Sequence, residues 1–559
     1  MFLRTVQRRN QDGSVVRYLQ LVQNQRLPGK SSPQVRVLYN FGREEKVDRD
    51  AIRRLIGSLS RALDPAEALA LQAPAELNFI ESRPLGGAYL LDQVWRRLGL
   101  HTTLTKLLSG RRLDPRAERA VFAMAANRAL EPLSKLACSA WVQEHAAIPG
   151  LAELEDDTCY RSMDWLLEVE TELAEAVYWA VADLLNLEVD LIFFDTTSTY
   201  FEIDEADPPS EGSDKGFRTY NPNSKDHRPD LPQVVIGLAV TREGIPIRVW
   251  TWPGNASDQE LVRQAKDDLR DWKLGRVVWV TDRGMTSAEN RRYLQRAGGH
   301  YIMGEKIREG SLEARSALSR PGRYQKVADN LEIKEVVIGE GEMRDRFVIC
   351  RNPQEAVRDR AIREKLLEQL ESEIEGSDKR PASKRYELKG QLKAKPGLHR
   401  FLRVTKRGLL RIDRAKAAQE ESLDGRFLLR TSDPTLSAED VALGYKQLLQ
   451  VERAWRDMKT SLDLRPVHHR LERRIRSHVV LCWLGLLLIR IVETRTKDTW
   501  RNVRNELEKM HLGTFRGPAG VVRQRTEATK RQADIFAACG VEAPARFFDL
   551  DTTSASPAA

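Results

Sequence analysis

Two apolar runs in this chain of 559 residues each end in an aspartate: LIFFD closes on Asp195 and RVVWVTD closes on Asp282. Such runs suit buried strands, and a carboxylate closing one stands where α/β sheets bind ligands. A single aspartate there is more often a turn or helix cap, but two in one region shift the odds. A third carboxylate comes from YKQLLQVERAWRDMK, where Tyr445, Glu452 and Lys459 recur every seven residues. At 100° per residue, seven residues return to within about 20° of the start, so one helix would carry all three on one face. An ordinary amphipathic helix with a charge pair gives the same spacing.

Three carboxylates that converge need a cation, because bare anions about 4 Å apart repel by roughly 4 kcal/mol at an effective dielectric near 20. Mg²⁺ is hard and prefers oxygen ligands, with Mn²⁺ as a substitute. Two such ions about 3.5–4 Å apart clamp the attacking and leaving oxygens of an in-line phosphoryl displacement. Water as nucleophile gives hydrolysis; a DNA 3′-hydroxyl gives strand joining. Lys459, two turns beyond Glu452, is placed to contact phosphate. Downstream, RPVHHRLERRIRSH gathers Arg465, Arg470, Arg473, Arg474 and Arg476 with His468, His469 and His478. Beside a metal site, phosphate-backbone contact outweighs a merely solvated face.

The surrounding elements divide the chain into six stretches. Residues 1–75 read as a small α/β region, with RYLQLVQNQ and QVRVLYNFG as strands and VDRDAIRRLIGSLSRAL as a helix. Residues 76–186 are helical. Arg111, Arg112, Arg116 and Arg119 cluster there, as a solvated face or as DNA contacts. Residues 187–300 hold LIFFD, a hairpin of QVVIGLAV and IPIRVWTW, a helix, and the strand ending at Asp282. Residues 301–424 read as an insertion, β-rich and then charged and helical. Residues 425–500 return to the first core with the Glu452 helix, and 501–559 read as a helical C-terminal region with a disordered tail.

Length predicts several domains. With 41% hydrophobic and 31% charged residues the composition is globular, and the net charge of +9 is a mild lean toward a polyanion. Five scattered cysteines form no C-x-x-C pair, which argues against a zinc knuckle or a disulfide framework and fits a reducing cytoplasm. The 11-residue run from Val479 to Ile489, bounded by Arg476 and Arg490, is short of the ~20 residues that span a bilayer. It predicts a buried core helix and no membrane partner.

DLIFFDTTSTYFE, PGNASD, VWVTDRGM and YKQLLQVERAWRDMK, followed by RPVHHRLERRIRSHVVLCWLGLLL, resemble the DDE transposases of bacterial insertion sequences, over about residues 186–500. The subgroup is one with a Tyr-x2-Arg-x3-Glu-x6-Lys signature, here Tyr445, Leu448, Glu452 and Lys459. The resemblance implies an α/β fold: a ribonuclease H-like mixed-sheet core with a β-rich insertion, preceded by a helical DNA-binding region. It implies Asp195, Asp282 and Glu452 as the catalytic and metal-binding triad, with Tyr445 and Lys459 on DNA phosphate. It also implies a synaptic homodimer acting on double-stranded DNA, the terminal inverted repeats and target, in the bacterial cytoplasm at the nucleoid. Leu448 replaces the signature Arg, so Arg453 or Arg456 would supply that contact. Relatives that form a DNA hairpin use a stacking Trp in the insertion; residues 301–440 contain none, leaving Tyr324 or Phe347 to stack.

Other readings fare less well. A haloacid dehalogenase-type phosphatase needs Asp-x-Asp, and position 197 is Thr. A ribonuclease H-like nuclease or resolvase without strand transfer, and a retired transposase that only binds DNA, are the remaining alternatives.

Overall fold

The computed structural model describes residues 1–10, 15–25, 34–60, 77–185, 191–209, 216–222, 224–272, 276–308, 310–339, 344–517 and 520–551. Residues 552–559 of the expected tail and the last three residues of the expected N-terminal helix fall outside these. The chain packs as two units, Met1–Leu85 with Lys509–Thr529 and Ala543–Ala559, and Gly86–Glu508 with Lys530–Glu542.

In the smaller unit β1 (Phe2–Arg9), β2 (Val15–Gln25) and β3 (Gln34–Arg43) form an antiparallel meander, followed by helix Arg49–Ser60 and β4 (Asn78–Pro84). The strand β1 was not anticipated; its FLRTVQRR alternates too weakly to stand out.

The larger unit is built on one nine-stranded sheet. The strand β5 (Leu191–Tyr200) pairs antiparallel with β6 (Gln233–Val240), which pairs with β7 (Pro246–Pro253). On its other side β5 runs parallel to β8 (Val278–Thr281), and β8 to β9 (His300–Glu305). The order β7-β6-β5-β8-β9 is a hairpin beside a parallel trio, a ribonuclease H-like arrangement. The sheet continues through β10 (Gln325–Ala328), β11 (Leu331–Ile338) and β12 (Asp345–Arg351), which attach in reverse order. A hairpin, β13 (Leu402–Val404) and β14 (Leu410–Ile412), stands apart with helices Pro353–Ile374 and Ala382–Lys393 over its own core of Leu370, Leu392, Phe401 and Leu410. The strand β15 (Arg426–Thr431) closes the gap, antiparallel to both β12 and β9. The β-rich part of the expected insertion therefore extends the core sheet.

Two local expectations need correction. Asp195 does not end its strand. The parallel pairing with β8 stops at Phe194 and Thr281, but β5 runs on to Tyr200 because its hydroxyl-rich TTSTY keeps pairing with β6. The helix carrying Tyr445, Glu452 and Lys459 is also two helices, Ala438–Lys446 and Leu449–Thr460. Gln447 (φ −73°, ψ −7°) and Leu448 (φ −55°, ψ −24°) stay in right-handed space, so the break is a kink in one rod.

Helix Glu472–Thr496 holds the larger unit together. It is the described helix long and apolar enough to cross a membrane, yet 94% of its apolar window is buried inside the fold. It packs against helices Ala117–Leu130 and Asp156–Glu168 and against β7. The segment AERAVFAMAANRAL has small apolar residues on every face, and the buried Arg119 is paired with Asp92 and Glu118, so the helix is buried from Ala117 to Ala129. The C-terminal stretch is less helical than expected. After helix Trp500–Leu507, β16 (His511–Gly517) and β17 (Gly520–Arg525) form a four-stranded sheet of the smaller unit with β4 and with β18 (Phe547–Asp551).

Candidate active site

The pleat of β5 sorts its side chains onto two faces, Asp195 with Thr197 on one and Phe194 with Thr196 on the other. Helix Leu449–Thr460 covers the first face, since Lys459 Nζ donates to Thr197 Oγ1 at 2.8 Å. Helix Ala438–Lys446 covers the same face further along. A Cβ added to Gly444 would touch Leu191 and Ile302, and one added to Gly304 in β9 would overlap the Tyr445 hydroxyl.

Asp195 and Asp282 stand side by side. Each follows a member of the last β5–β8 pair, Phe194 and Thr281, on parallel strands about 4.8 Å apart. Tyr445 Oη donates to Asp282 Oδ1 at 3.0 Å. Burial, and then the Asp282 carboxylate, push the Tyr445 phenol well above its usual range, so it remains a donor. Asp195 is pushed up to about 6. Burial is the main cause, the Lys225 ammonium opposes it, and the Asp282 and Asp258 carboxylates add to it. Its side chain is 22% exposed.

Glu452 is exposed, seven residues from both Tyr445 and Lys459 on the kinked rod, whose two ends lean onto the sheet at Asp282 and Thr197. The helical repeat sets Glu452 within about 20° of the direction of Lys459. Among the described residues no three His, Cys, Asp or Glu side chains are close enough to hold one metal ion. The two aspartates are adjacent, and Glu452 stands exposed on the helix that covers their face, outside a common coordination shell. The donors here are all oxygens, and a carboxyl raised chiefly by burial, with a second carboxylate beside it, suits a hard divalent cation.

Sequence reasoning missed a second layer of charge. Asp226, in the loop between β5 and β6, is 7% exposed and accepts from Lys459 Nζ at 2.8 Å while pairing with Arg465 at 3.0 Å. Burial lowers the Lys459 ammonium, and Asp226 works against that shift. Lys225 pairs with Asp258 at 3.1 Å, and Asp258 also accepts from Thr196 Oγ1 at 2.6 Å. The signal was present in PGNASD, whose final residue is Asp258, but spacing alone assigns it no role.

The expected DNA contacts differ in how free they are. Arg456 and His468 are exposed. Arg453 pairs with Glu493 at 3.3 Å and Arg465 with Asp226. Arg474 pairs with Asp164 at 3.3 Å and lies over the Tyr160 ring, while Arg476 pairs with Glu472 at 2.7 Å and lies over Phe217. Leu448 is buried, so nothing at the signature Arg position reaches phosphate. In the helical region Arg119 is buried against Asp92 and Glu118, Arg111 pairs with Glu168 and Arg116 with Asp114. Phe347 is fully buried beneath helix Leu312–Ser319 and cannot stack on a base. Tyr324 is half-buried, with Lys334 and Arg426 over its ring.

Residues 198–488 match the family model described as the transposase DDE domain, and residues 3–69 match that of the N-terminal domain of IS1634 family transposases. The chain belongs to the DDE transposases of bacterial insertion sequences, and its core is ribonuclease H-like. It is therefore a transposase, an enzyme acting on DNA, of a class whose DDE domains use divalent metal ions. A solved structure titled as the cryo-EM structure of a piggyBac transposase synaptic complex with hairpin DNA is similar over 76% of this chain and 78% of its own, at 9% identity and a TM-score of 0.34. No curated protein matches the chain.

Proposed function

We propose that this transposase cuts double-stranded DNA at the terminal inverted repeats of its element and joins the freed 3′-hydroxyl to target DNA, with Asp195, Asp282 and Glu452 holding two Mg²⁺ ions. The observation that carries this reading is the adjacency of Asp195 and Asp282 on the face covered by the helix of Glu452. The bound ions would supply activation of the nucleophile and neutralisation of the leaving oxygen. Tyr445, by donating to Asp282, fixes the orientation of that carboxylate. Lys459 and Arg465 are held by Asp226 at the edge of the site and would exchange that carboxylate for a DNA phosphate. Arg453 and Arg456 on the Glu452 helix, His468 in the segment after it, and Arg474 and Arg476 on helix Glu472–Thr496 would contact the flanking backbone, Arg456 and His468 most directly because they are exposed. We assign Tyr445, Leu448, Glu452 and Lys459 to the Tyr-Arg-Glu-Lys signature, with the Arg lost. Residues 187–300 and 425–500 form the catalytic core in this reading, and the active species is a homodimer bridging two ends at the nucleoid.

The test is a cleavage and strand-transfer assay on linear DNA carrying the element ends, with a plasmid target. Cleavage should require Mg²⁺ or Mn²⁺ and stop with EDTA. Asp195→Asn, Asp282→Asn and Glu452→Gln should each lose at least about a thousandfold in rate while still shifting end DNA in a gel. Wild-type activity in any of the three would remove that residue from the site, and cleavage without joining would reduce the enzyme to a nuclease.

A further inference from the structure

The loop between β5 and β6 inserts two neighbouring residues of opposite charge into the site, and they are held differently. Asp226 is 7% exposed and locked between Lys459 and Arg465. Lys225 is 38% exposed, on a flexible four-carbon stem. Its Nζ donates to the Thr196 carbonyl oxygen at 2.7 Å and to Thr196 Oγ1 at 2.5 Å. It also lies 3.1 Å from Asp258 Oδ2 and 3.8 Å from Asp195 Oδ1. The ammonium thus sits as a cation between two carboxylates, one of them Asp195. The backbone beneath it is pinned by Asp226, whose own partners, Lys459 and Arg465, are not partners of the Lys225 ammonium.

We propose that Lys225 is an internal counter-cation that competes with the divalent ion for Asp195, with Asp258 and Thr196 as the berth that retains the ammonium. The inference rests on the metal role proposed for Asp195. Asp195 would give up the approach of Lys225 to hold an ion, and the ammonium would keep Asp258 or turn outward. If the ammonium occupies its place about four-fifths of the time, the apparent metal affinity is weakened about fivefold. A merely structural lysine would give the opposite result, because its removal would loosen the carboxylates and weaken metal binding.

The experiment is Mn²⁺ binding to the full chain without DNA, read from the free-ion EPR signal, for wild type, Lys225→Met, Lys225→Gln, Lys225→Arg and Asp195→Asn. Thermal melts establish that each variant is folded. The Met and Gln variants should bind Mn²⁺ about fivefold more tightly than wild type, and the Arg variant, which keeps the charge, should stay near wild type. Unchanged or weaker binding in both neutral variants would overturn the competition. The Asp195→Asn protein separates this failure from that of the underlying reading. If it binds Mn²⁺ as well as wild type, Asp195 is no metal ligand. If its binding is lost while the neutral Lys225 variants do not differ from wild type, only the role of Lys225 falls.

Discussion

At the scale of single residues, the site depends on close approach as much as on charge. Gly304 in β9 leaves room for the Tyr445 hydroxyl, and no side chain larger than hydrogen fits beneath it. Gly304→Ala would push the phenol off Asp282 and lift the helix end that carries it. The expected outcome is a loss of about 1–3 kcal/mol in stability, as for other overpacked cores. Cleavage should slow by about tenfold, because a displacement near 1 Å is enough to misalign reacting groups. Adding Tyr445→Phe to the same chain should recover part of the melting temperature, since the hydroxyl is the atom in the way. Thermal melting with a cleavage assay checks both, and a Gly304→Ala protein indistinguishable from wild type would show that the contact does not matter. Asp195 and Asp282 were legible in the sequence because each closes an apolar run. Lys225 and Asp226 were not, because their loop carries no periodic signal and acquires meaning only when the chain returns to the β5 edge.

At the scale of elements, helix Glu472–Thr496 carries a titratable group into the core. His478 is buried and its Nε2 lies 3.2 Å from the Leu464 carbonyl oxygen, which can only accept, so the neutral ring holds its proton on Nε2. Burial first, and then the nearby Lys135, Arg128 and His469, keep His478 well below the usual histidine range. His469, with its ring 5.5 Å away, is pushed down to about 4 by burial and then by Lys135 and Arg474. Both rings are neutral in the folded protein, whereas the unfolded chain protonates them below about pH 6.5, so the unfolded state binds more protons there. Stability from this pair is therefore complete above pH 6.5 and declines as pH falls toward 4. Asp195 has the opposite sign, because its raised carboxyl favours the folded state on acidification. Urea unfolding at pH 7.5 and pH 5 should show a lower midpoint at pH 5, and His469→Asn should narrow the gap. An unaltered gap in that variant would remove His469 from the account. The helix itself was legible from its apolar run. The kink at Gln447–Leu448 was not, since both residues keep helical torsions and nothing in their types marks a break.

At the scale of the molecule, the order strand, hairpin, helix, strand was readable because short apolar runs and a tight Arg-Glu-Gly link survive in a single sequence. The route of residues 301–424 was not. Within the sheet, β10, β11 and β12 join the core by way of β15, some 75 residues beyond the end of β12, and such non-local pairing leaves no local trace. The same limit applies to the smaller unit, whose β4 pairs with β16 across more than 400 residues. The convergence expected of Asp195, Asp282 and Glu452 on shared ions depends on groups outside their motifs, since Tyr445 donates to Asp282 and the Lys225 ammonium lies beside Asp195. The most direct measurement is anomalous diffraction at the manganese edge from crystals of the protein with its end DNA, grown in Mn²⁺. The account predicts a peak bonded to carboxylate oxygens of both Asp195 and Asp282, with Glu452 turned inward and the peak lost in Asp195→Asn. A manganese peak that touches neither aspartate, or one that persists in that variant, would contradict it.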